Sequence, residues 1–119
     1  MMIKRIWHGW TTSANADSYE RLLKTEIFPE IAAKNVSGYR RIELLRRPID
    51  GGDVEFITVM TFDDLEAVKR FAGSEYERAY VPEAARRLLR RFDERSQHYD
   101  VRERLDYESA GSPSAARSP

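Results

Sequence analysis

The 119-residue sequence contains no cysteine and only two histidines, His8 and His98. The absence of cysteine excludes disulfides, thiolate metal ligands and cysteine nucleophiles. The two histidines are far apart and lack the helical spacing of a metal-binding pair. No glycine-rich phosphate-binding motif and no nucleophile elbow occurs either. We therefore expect no metal site and no bound cofactor.

An excess of charge of one sign is also missing, because 20 basic residues balance 20 acidic ones. A neutral chain has no general electrostatic attraction to nucleic acid or to an anionic membrane surface. No apolar run approaches the roughly 20 residues that a membrane helix needs. Lys4 and Arg5 interrupt the apolar N-terminus, which does not look like a signal peptide. These absences predict a cytoplasmic protein that binds neither nucleic acid nor membrane.

What remains is the composition of one small globular domain, with 41% hydrophobic and 11% aromatic residues. We place this domain at residues 1–104. From Ser109 to Pro119 the chain contains only Ser, Ala, Gly, Pro and one Arg, so it offers nothing large to bury. We predict that residues 105–119 form a flexible C-terminal tail.

Four segments have the β-branched and aromatic residues that are typical of strands. Between the second and third segments lies a turn sequence with two adjacent glycines, Gly51 and Gly52, which predicts a hairpin. The third segment is apolar on both faces, and this predicts that both of its faces are covered. The predicted strands are residues 3–11, 39–47, 54–62 and 92–101.

The first long connection predicts an amphipathic helix. Apolar residues recur at three- and four-residue spacing from Tyr19 to Ile31. Asn15 or Asp17 is the predicted N-cap. Pro29 falls inside the apolar pattern and should kink or restart the helix, because it lacks a backbone donor.

The second long connection predicts three short helices. Asp63 is the predicted cap of the first, which ends at Gly73. Residues 74–77 (Ser-Glu-Tyr-Glu) match a capping box and predict a second. Pro82 suits the first turn of a third, which runs through Leu89.

This order of elements is that of the ferredoxin-like α+β fold, βαββαβ, with an antiparallel sheet. The helices of that fold cover one face of the sheet, whereas segment 54–62 is apolar on both. A second copy of the chain could cover the other face, and closed twofold dimers are the commonest oligomers. We predict a homodimer that forms a dimeric α/β barrel.

The two histidines are the candidate catalytic residues. His8 lies in the first predicted strand and His98 in the last, and these strands are neighbours in the ferredoxin-like topology. An imidazole on a strand that lines an enclosed cavity can act as a general acid or base near neutral pH. The alternative is that each histidine is a hydrogen-bonded residue of a half-buried sheet face.

Aromatic residues form the candidate substrate-binding group. A cavity walled by indole rings and phenols suits a small, flat aromatic ligand. Trp7 and Trp10 are three positions apart, so they lie on opposite faces of their strand. The alternative is ordinary packing in the core and the dimer interface. The candidates are Trp7, Trp10, Tyr39, Tyr76, Tyr80 and Tyr99.

Three short motifs resemble those of one known family. They are residues 3–9 (Ile-Lys-Arg-Ile-Trp-His-Gly), 71–73 (Phe-Ala-Gly) and 97–101 (Gln-His-Tyr-Asp-Val). Over about residues 2–103 the chain is similar to the antibiotic biosynthesis monooxygenase-like domain family. The resemblance implies a dimeric α/β barrel, and some members of the wider family oxidise aromatic polyketides with molecular oxygen and no metal or organic cofactor. Haem-degrading relatives use a helix-borne histidine, and residues 63–89 contain none.

The functional hypothesis is a cofactor-independent monooxygenase-like protein that acts on a small hydroxylated aromatic substrate. His8 is expected to remove a proton from the substrate, and His98 or a tyrosine to hold the developing oxyanion. Two alternatives remain open. One is a cofactor-free cyclase or isomerase of the same fold, and the other is a non-catalytic dimeric protein that binds a small molecule.

Overall fold

A computed structural model describes residues 1–109 of the chain. From residue 110 onward the predicted C-terminal tail lies outside the described residues. The strands are β1 (Ile3–Thr12), β2 (Tyr39–Pro48), β3 (Asp53–Phe62), β4 (Leu89–Phe92) and β5 (Gln97–Asp100). The helices are α1 (Ser13–Leu22), α2 (Phe28–Ala33), α3 (Leu65–Ala72) and α4 (Glu83–Leu88). A π-helical turn (Leu23–Ile27) joins α1 to α2, and a 3₁₀ turn (Asp50–Gly52) joins β2 to β3.

The five strands form one sheet with β1 and β3 at its centre. β2 lies beside β3, and both β4 and β5 lie beside β1. All neighbouring strands are antiparallel. Because β4 and β5 together take the place of a single fourth strand, this is the ferredoxin-like α+β fold. The predicted fold class is confirmed.

The last predicted strand is interrupted after Asp93, whose N–H still donates to the His8 carbonyl of β1 (2.9 Å), because residues 94–96 bond to the loop between α3 and α4. The Ala79 N–H donates to the Glu94 carbonyl (2.9 Å), and the Ser96 N–H donates to the Glu77 carbonyl (2.7 Å). These bonds satisfy backbone groups of both segments. The prediction of one continuous strand over 92–101 is therefore wrong.

The pairing register divides the side chains of the sheet into two faces, which we call the helix face and the open face. Alternate residues of a strand point to opposite faces. In β1 and β3 the helix face carries Ile3, Arg5, Trp7, Gly9 and Thr11 with Val54, Phe56, Thr58, Met60 and Phe62. The open face carries Lys4, Ile6, His8 and Trp10 with Glu55, Ile57, Val59 and Thr61.

The core lies between the helix face and the helices. Tyr19 of α1 packs edge-on against Phe56 of β3, with 4.9 Å between the ring centroids. A second buried cluster joins Ala67 and Val68 of α3 to Phe62. Burying aromatic rings of this size supplies much of the hydrophobic stabilisation of a small domain.

Helix α1 begins earlier than predicted. Thr12, and not Asn15 or Asp17, is the N-cap, and its side chain accepts a hydrogen bond from the Asn15 N–H (3.1 Å). The predicted disturbance at Pro29 is present, because the π-helical turn directly precedes the short helix that contains this proline. A proline cannot donate to the carbonyl four residues earlier, which fits a change of helical type at this point.

Two further predictions fail in the second connection. Asp64 caps α3 by accepting a hydrogen bond from the Ala67 N–H (2.9 Å), whereas Asp63 forms an ion pair with Arg40 (2.6 Å). Residues 74–77 form turns and not the helix that their capping-box pattern predicted. Their backbone joins the neighbouring chain segment, and this tertiary pairing overrides the local pattern.

Gly38 provides a test of the packing between the start of β2 and α3. Its φ is 91°, and an added Cβ would lie 2.7 Å from the Ala67 Cβ, whereas at Gly51 (φ 84°) an added Cβ would meet nothing within 4 Å. We expect Gly38→Ala to lower the free energy of unfolding by about 2–4 kcal/mol, because backbone strain adds to overpacking. Gly51→Ala should cost about 1–2 kcal/mol from strain alone. Urea unfolding measures both, and equal losses would contradict the contact with Ala67.

Candidate functional site

A cavity of about 610 Å³ lies between the helix face of the sheet and the helices. This volume is within the range of small-ligand sites. We call it the helix-face cavity. Most of its lining is apolar: it includes Trp7, Ile42 and Met60 from the sheet, Leu23, Ile27, Phe28 and Ile31 from the helical segment, and Phe71, Ala79, Val81 and Ala85 from the opposite wall.

Trp7 forms part of the cavity wall and is held in one orientation. Its indole Nε1 donates to the carbonyl of Asp93 (2.7 Å). A Cβ at Gly9 would lie 2.7 Å from the Cη2 atom of the same indole. The Trp7 ring therefore lies in the space that a side chain at position 9 would fill. Glycine in a strand often marks such a close approach.

Tyr19 places a hydroxyl at the cavity. The residue is 1% exposed and lines the cavity from α1. Its hydroxyl forms no hydrogen bond within residues 1–109. Every fully buried side-chain polar atom of these residues does have a hydrogen-bond partner. The hydroxyl is therefore not fully buried, and Tyr19 lines the cavity. Burial raises the pKa of Tyr19, so the phenol stays protonated and can donate or accept a hydrogen bond.

Arg5 is the buried charge of the site. It is 6% exposed and lines the cavity from β1. Its Nη1 donates to the carbonyl of Tyr76 and lies 3.0 Å from His98 Nε2, and its Nη2 donates to the carbonyl of Arg78 (3.4 Å). Burial lowers the pKa of Arg5 to about 10, which leaves the guanidinium charged at neutral pH.

His98 contacts Arg5 and does not itself line the cavity. An arginine can only donate, so His98 Nε2 must be the acceptor and the imidazole is neutral, with its proton on Nδ1. Burial first, and the positive charge of Arg5 second, lower the pKa of His98. The ring also packs edge-on against Tyr76, with 5.2 Å between the centroids.

The structure places the two histidines on opposite faces of the sheet. His98 is paired with Arg5 and lies on the helix face, whereas His8 lies on the open face. His8 Nδ1 is 2.8 Å from Glu55 Oε2, and the same carboxylate accepts a hydrogen bond from Arg47 (2.7 Å). The predicted division of labour, with His8 as base and His98 at the oxyanion of one substrate, therefore does not fit this geometry.

The predicted aromatic group is also divided. Trp7 and Tyr80 line the helix-face cavity, and Tyr80 is 83% exposed at its rim. Trp10 and Tyr99 lie on the open face, where the Trp10 ring stacks on the His8 ring. An arginine, Arg91, covers the Trp10 ring at 3.7 Å.

Tyr39 and Tyr76 do not reach the cavity. Tyr39 packs between Phe62 and Phe71 in the core. Tyr76 borders a separate surface depression together with His98. The structure thus keeps two of the six predicted aromatic residues at the cavity.

The sequence interpretation missed Arg5 and Tyr19. Arg5 has a usable signal, because it alternates with Ile3 and Trp7 and so shares their face of the strand. Tyr19 was assigned to the apolar stripe of α1, and that stripe does face the core. No signal in the sequence shows that the stripe borders a cavity instead of a filled interior.

The described residues add two negative findings. None of the helices formed by residues 1–109 is long and apolar enough to cross a membrane. In the same part of the chain, no group of three or more His, Asp or Glu side chains is arranged to hold a metal ion.

Comparison with known proteins identifies the fold. No family model matches the sequence, and a search of curated proteins finds no relative. Solved structures match most of the chain. A protein from Bacillus cereus assigned to the antibiotic biosynthesis monooxygenases matches with a TM-score of 0.60 and 16% identity, over 92% of this chain and 100% of that one.

Two proteins from Streptomyces extend this comparison. SnoaB from Streptomyces nogalater, a cofactor-independent oxygenase, matches with a TM-score of 0.51 and 17% identity over 89% of this chain and 98% of that one. The ActVA-Orf6 monooxygenase of Streptomyces coelicolor, solved with nanaomycin D, matches with a TM-score of 0.60 and 11% identity over 90% and 92%. Likeness at these identities establishes the fold and not the reaction. The chain has the ferredoxin-like fold of the antibiotic biosynthesis monooxygenase-like proteins.

Proposed function

We propose that the protein is a cofactor-independent monooxygenase-like enzyme that binds a small hydroxylated aromatic substrate in the helix-face cavity. The observation that carries the proposal is the cavity itself, which is lined by the indole of Trp7 and by Tyr19, whose hydroxyl has no hydrogen-bond partner among the described residues. Large apolar pockets with a few polar groups are the usual form of a small-molecule site. The monooxygenases that share the fold support the reaction class.

In the proposed reaction the substrate supplies all the electrons. Loss of a proton from a hydroxylated aromatic compound leaves an electron-rich anion that can reduce molecular oxygen. For an activated methylene the balance is CH₂ + O₂ → C=O + H₂O, so this balance needs no further reductant. The role of the protein is to hold the ring, exclude water and orient the reacting oxygen.

Tyr19 is the residue that we assign to substrate orientation. Its hydroxyl is a polar group without a hydrogen-bond partner among the described residues, and the protonated phenol can donate to a substrate oxygen. A fixed donor stabilises charge that develops on that oxygen during the reaction. Trp7 offers the flat surface on which an aromatic ring can stack.

Oxygen uptake by the purified protein on a panel of anthrones and hydroquinones tests this function. We expect uptake that matches product formation, and a loss of turnover of at least about tenfold in Tyr19→Phe, because one donor is removed while the ring remains. Tyr39→Phe is the matched control, since Tyr39 packs against Phe62 and Phe71 and does not line the cavity. It should change turnover little.

The same assay separates the alternatives. Product formation without oxygen would identify a cyclase or isomerase, and retention of a ligand without turnover would identify a binding protein. His8→Ala should leave turnover within about threefold, since His8 lies on the opposite face. A loss of more than tenfold in His8→Ala would instead place the reaction at the open face.

His98 gives a prediction for pH. Its pKa in the folded protein is lowered from the ordinary 6.5, so below that pH the unfolded chain binds a proton that the folded chain resists. The stabilisation is complete above about pH 6.5 and is lost as the pH falls through the folded pKa. His98→Gln keeps an acceptor for Arg5 but does not titrate. We expect its Tm to fall less than that of the parent between about pH 7 and about pH 5.

Thermal unfolding across this pH range makes the measurement. His8→Gln is the control, because it removes the other imidazole from the opposite face. Equal loss of Tm in the parent and in His98→Gln would contradict the assignment of this pH dependence to His98.

The proposed assembly is a homodimer whose subunits meet at the open face. That face exposes Leu45 at 49% and also carries Ile6, Ile57 and Val59. A lysine at Val59 would place a charge in the buried interface. Light scattering should give twice the chain mass of 13.9 kDa for the parent and the single mass for Val59→Lys. Ala84→Lys, on the exposed side of α4, should remain dimeric, and a monomeric parent would refute the assembly.

A further inference from the structure

We infer that the helix-face cavity selects aromatic ligands that carry a negatively charged oxygen, and that Arg5 is the residue that binds this oxygen. The inference names the substrate class for the site and so rests on the proposed function for its biological meaning. The oxygen would belong to a phenolate, an enolate or a carboxylate, which share the chemistry that a guanidinium recognises.

Arg5 lacks an opposite charge. In residues 1–109 no carboxylate lies within salt-bridge distance of it. Its hydrogen-bond partners are two backbone carbonyls and the neutral ring of His98, and the Phe71 ring centroid lies 5.7 Å from its Cζ atom. A buried charge is costly unless it is paired with an opposite charge. An anionic ligand in the adjoining cavity would supply that pair.

Arg5 also has more N–H donors than its contacts use. A guanidinium has five N–H groups, and the contacts to Tyr76, Arg78 and His98 use three of them. The Nε–H and the second Nη2–H form no hydrogen bond within the described residues. Every fully buried side-chain polar atom of these residues has a hydrogen-bond partner, so the Nε atom of Arg5, which has none, is not fully buried. Because Arg5 lines the cavity, we assign these unused donors to a ligand oxygen.

The remaining lining carries more positive than negative charge. It contains one acidic residue, Glu30, and two further basic residues, Lys34 and Arg78. All three are exposed. An anion that enters therefore meets an excess of positive charge, and the apolar walls strengthen its attraction to Arg5 by excluding water.

The alternative role of Arg5 is purely structural. Its bonds to the carbonyls of Tyr76 and Arg78 tie the loop between α3 and α4 to β1. A structural tie would affect stability and the binding of every ligand alike. An anion site would affect charged ligands more than neutral ones, and this difference is what the experiment measures.

The experiment uses two fluorescent probes with one skeleton, 1-anilinonaphthalene-8-sulfonate and its neutral parent, N-phenyl-1-naphthylamine. We expect Arg5→Met to weaken binding of the sulfonate by about 10- to 100-fold, as for loss of a hydrogen bond to a charged group. Binding of the neutral probe should change by less than about threefold. Arg5→Lys should recover part of the sulfonate affinity, because it restores the charge but not the fork of donors.

Arg91→Met is the matched control, since this arginine covers Trp10 on the open face. It should change the affinity of neither probe. Equal weakening of both probes in Arg5→Met would overturn the inference in favour of the structural role. Failure of the parent to bind the sulfonate would overturn it as well.

A second measurement needs no variant and covers the case in which Arg5→Met does not fold. In the parent protein, 2-naphthoate and 2-naphthalenemethanol compete against the neutral probe. The carboxylate should compete at least about tenfold better than the alcohol. Equal competition would overturn the inference.

Neither measurement depends on turnover. Charge-selective binding without oxygen uptake would reject the proposed reaction and retain the anion site. Oxygen uptake without charge-selective binding would retain the reaction and reject the site.

Discussion

The pairing of β1 with β3 is the constraint on which the rest of the structure depends. It runs for the full length of both strands, from Ile3 opposite Phe62 to Thr12 opposite Asp53. A shift of one residue would exchange the two faces of a strand. Arg5 and Trp7 would then leave the cavity. Lys4 and Ile6 would take their places for a shift in one direction, and Ile6 and His8 for a shift in the other. The register therefore decides both the chemistry of the helix-face cavity and the composition of the open face.

The second dependency is the link between Arg5 and the loop that follows α3. In a helix, the carbonyls of Tyr76 and Arg78 would bond within the segment. In the turns that form there, both accept hydrogen bonds from a guanidinium of the sheet. The same side chain thus stabilises one wall of the cavity and provides its buried charge. Arg5 therefore has a structural role and a proposed role in ligand recognition. A loss of stability would be expected for either role, so only the selectivity for charged ligands separates them.

The site followed from the sequence less completely than the fold did. Alternation along β1 correctly separates Trp7 from Trp10, because period-two geometry is a local property of any strand. The same alternation places His8 and Arg5 on opposite faces of β1. The face of His98, in contrast, is decided by the pairing of β5 with β1, which sets His98 opposite Arg5. Local patterns also failed at residues 74–77 and at Asp63. In both places a tertiary partner, the segment 94–96 or Arg40, competes with the local bond.

By itself the sequence determined the first three strands, the two helical connections, the hairpin at Gly51 and Gly52, and the ferredoxin-like topology. These follow from periodicity and turn chemistry, which act over a few residues. Only the tertiary structure decided that Tyr19 borders open space, that His98 lies behind Arg5, and that Arg5 has no carboxylate partner among residues 1–109. Cavities and charge pairing are set by contacts between residues far apart in the chain, and these contacts leave no periodic signal in the sequence.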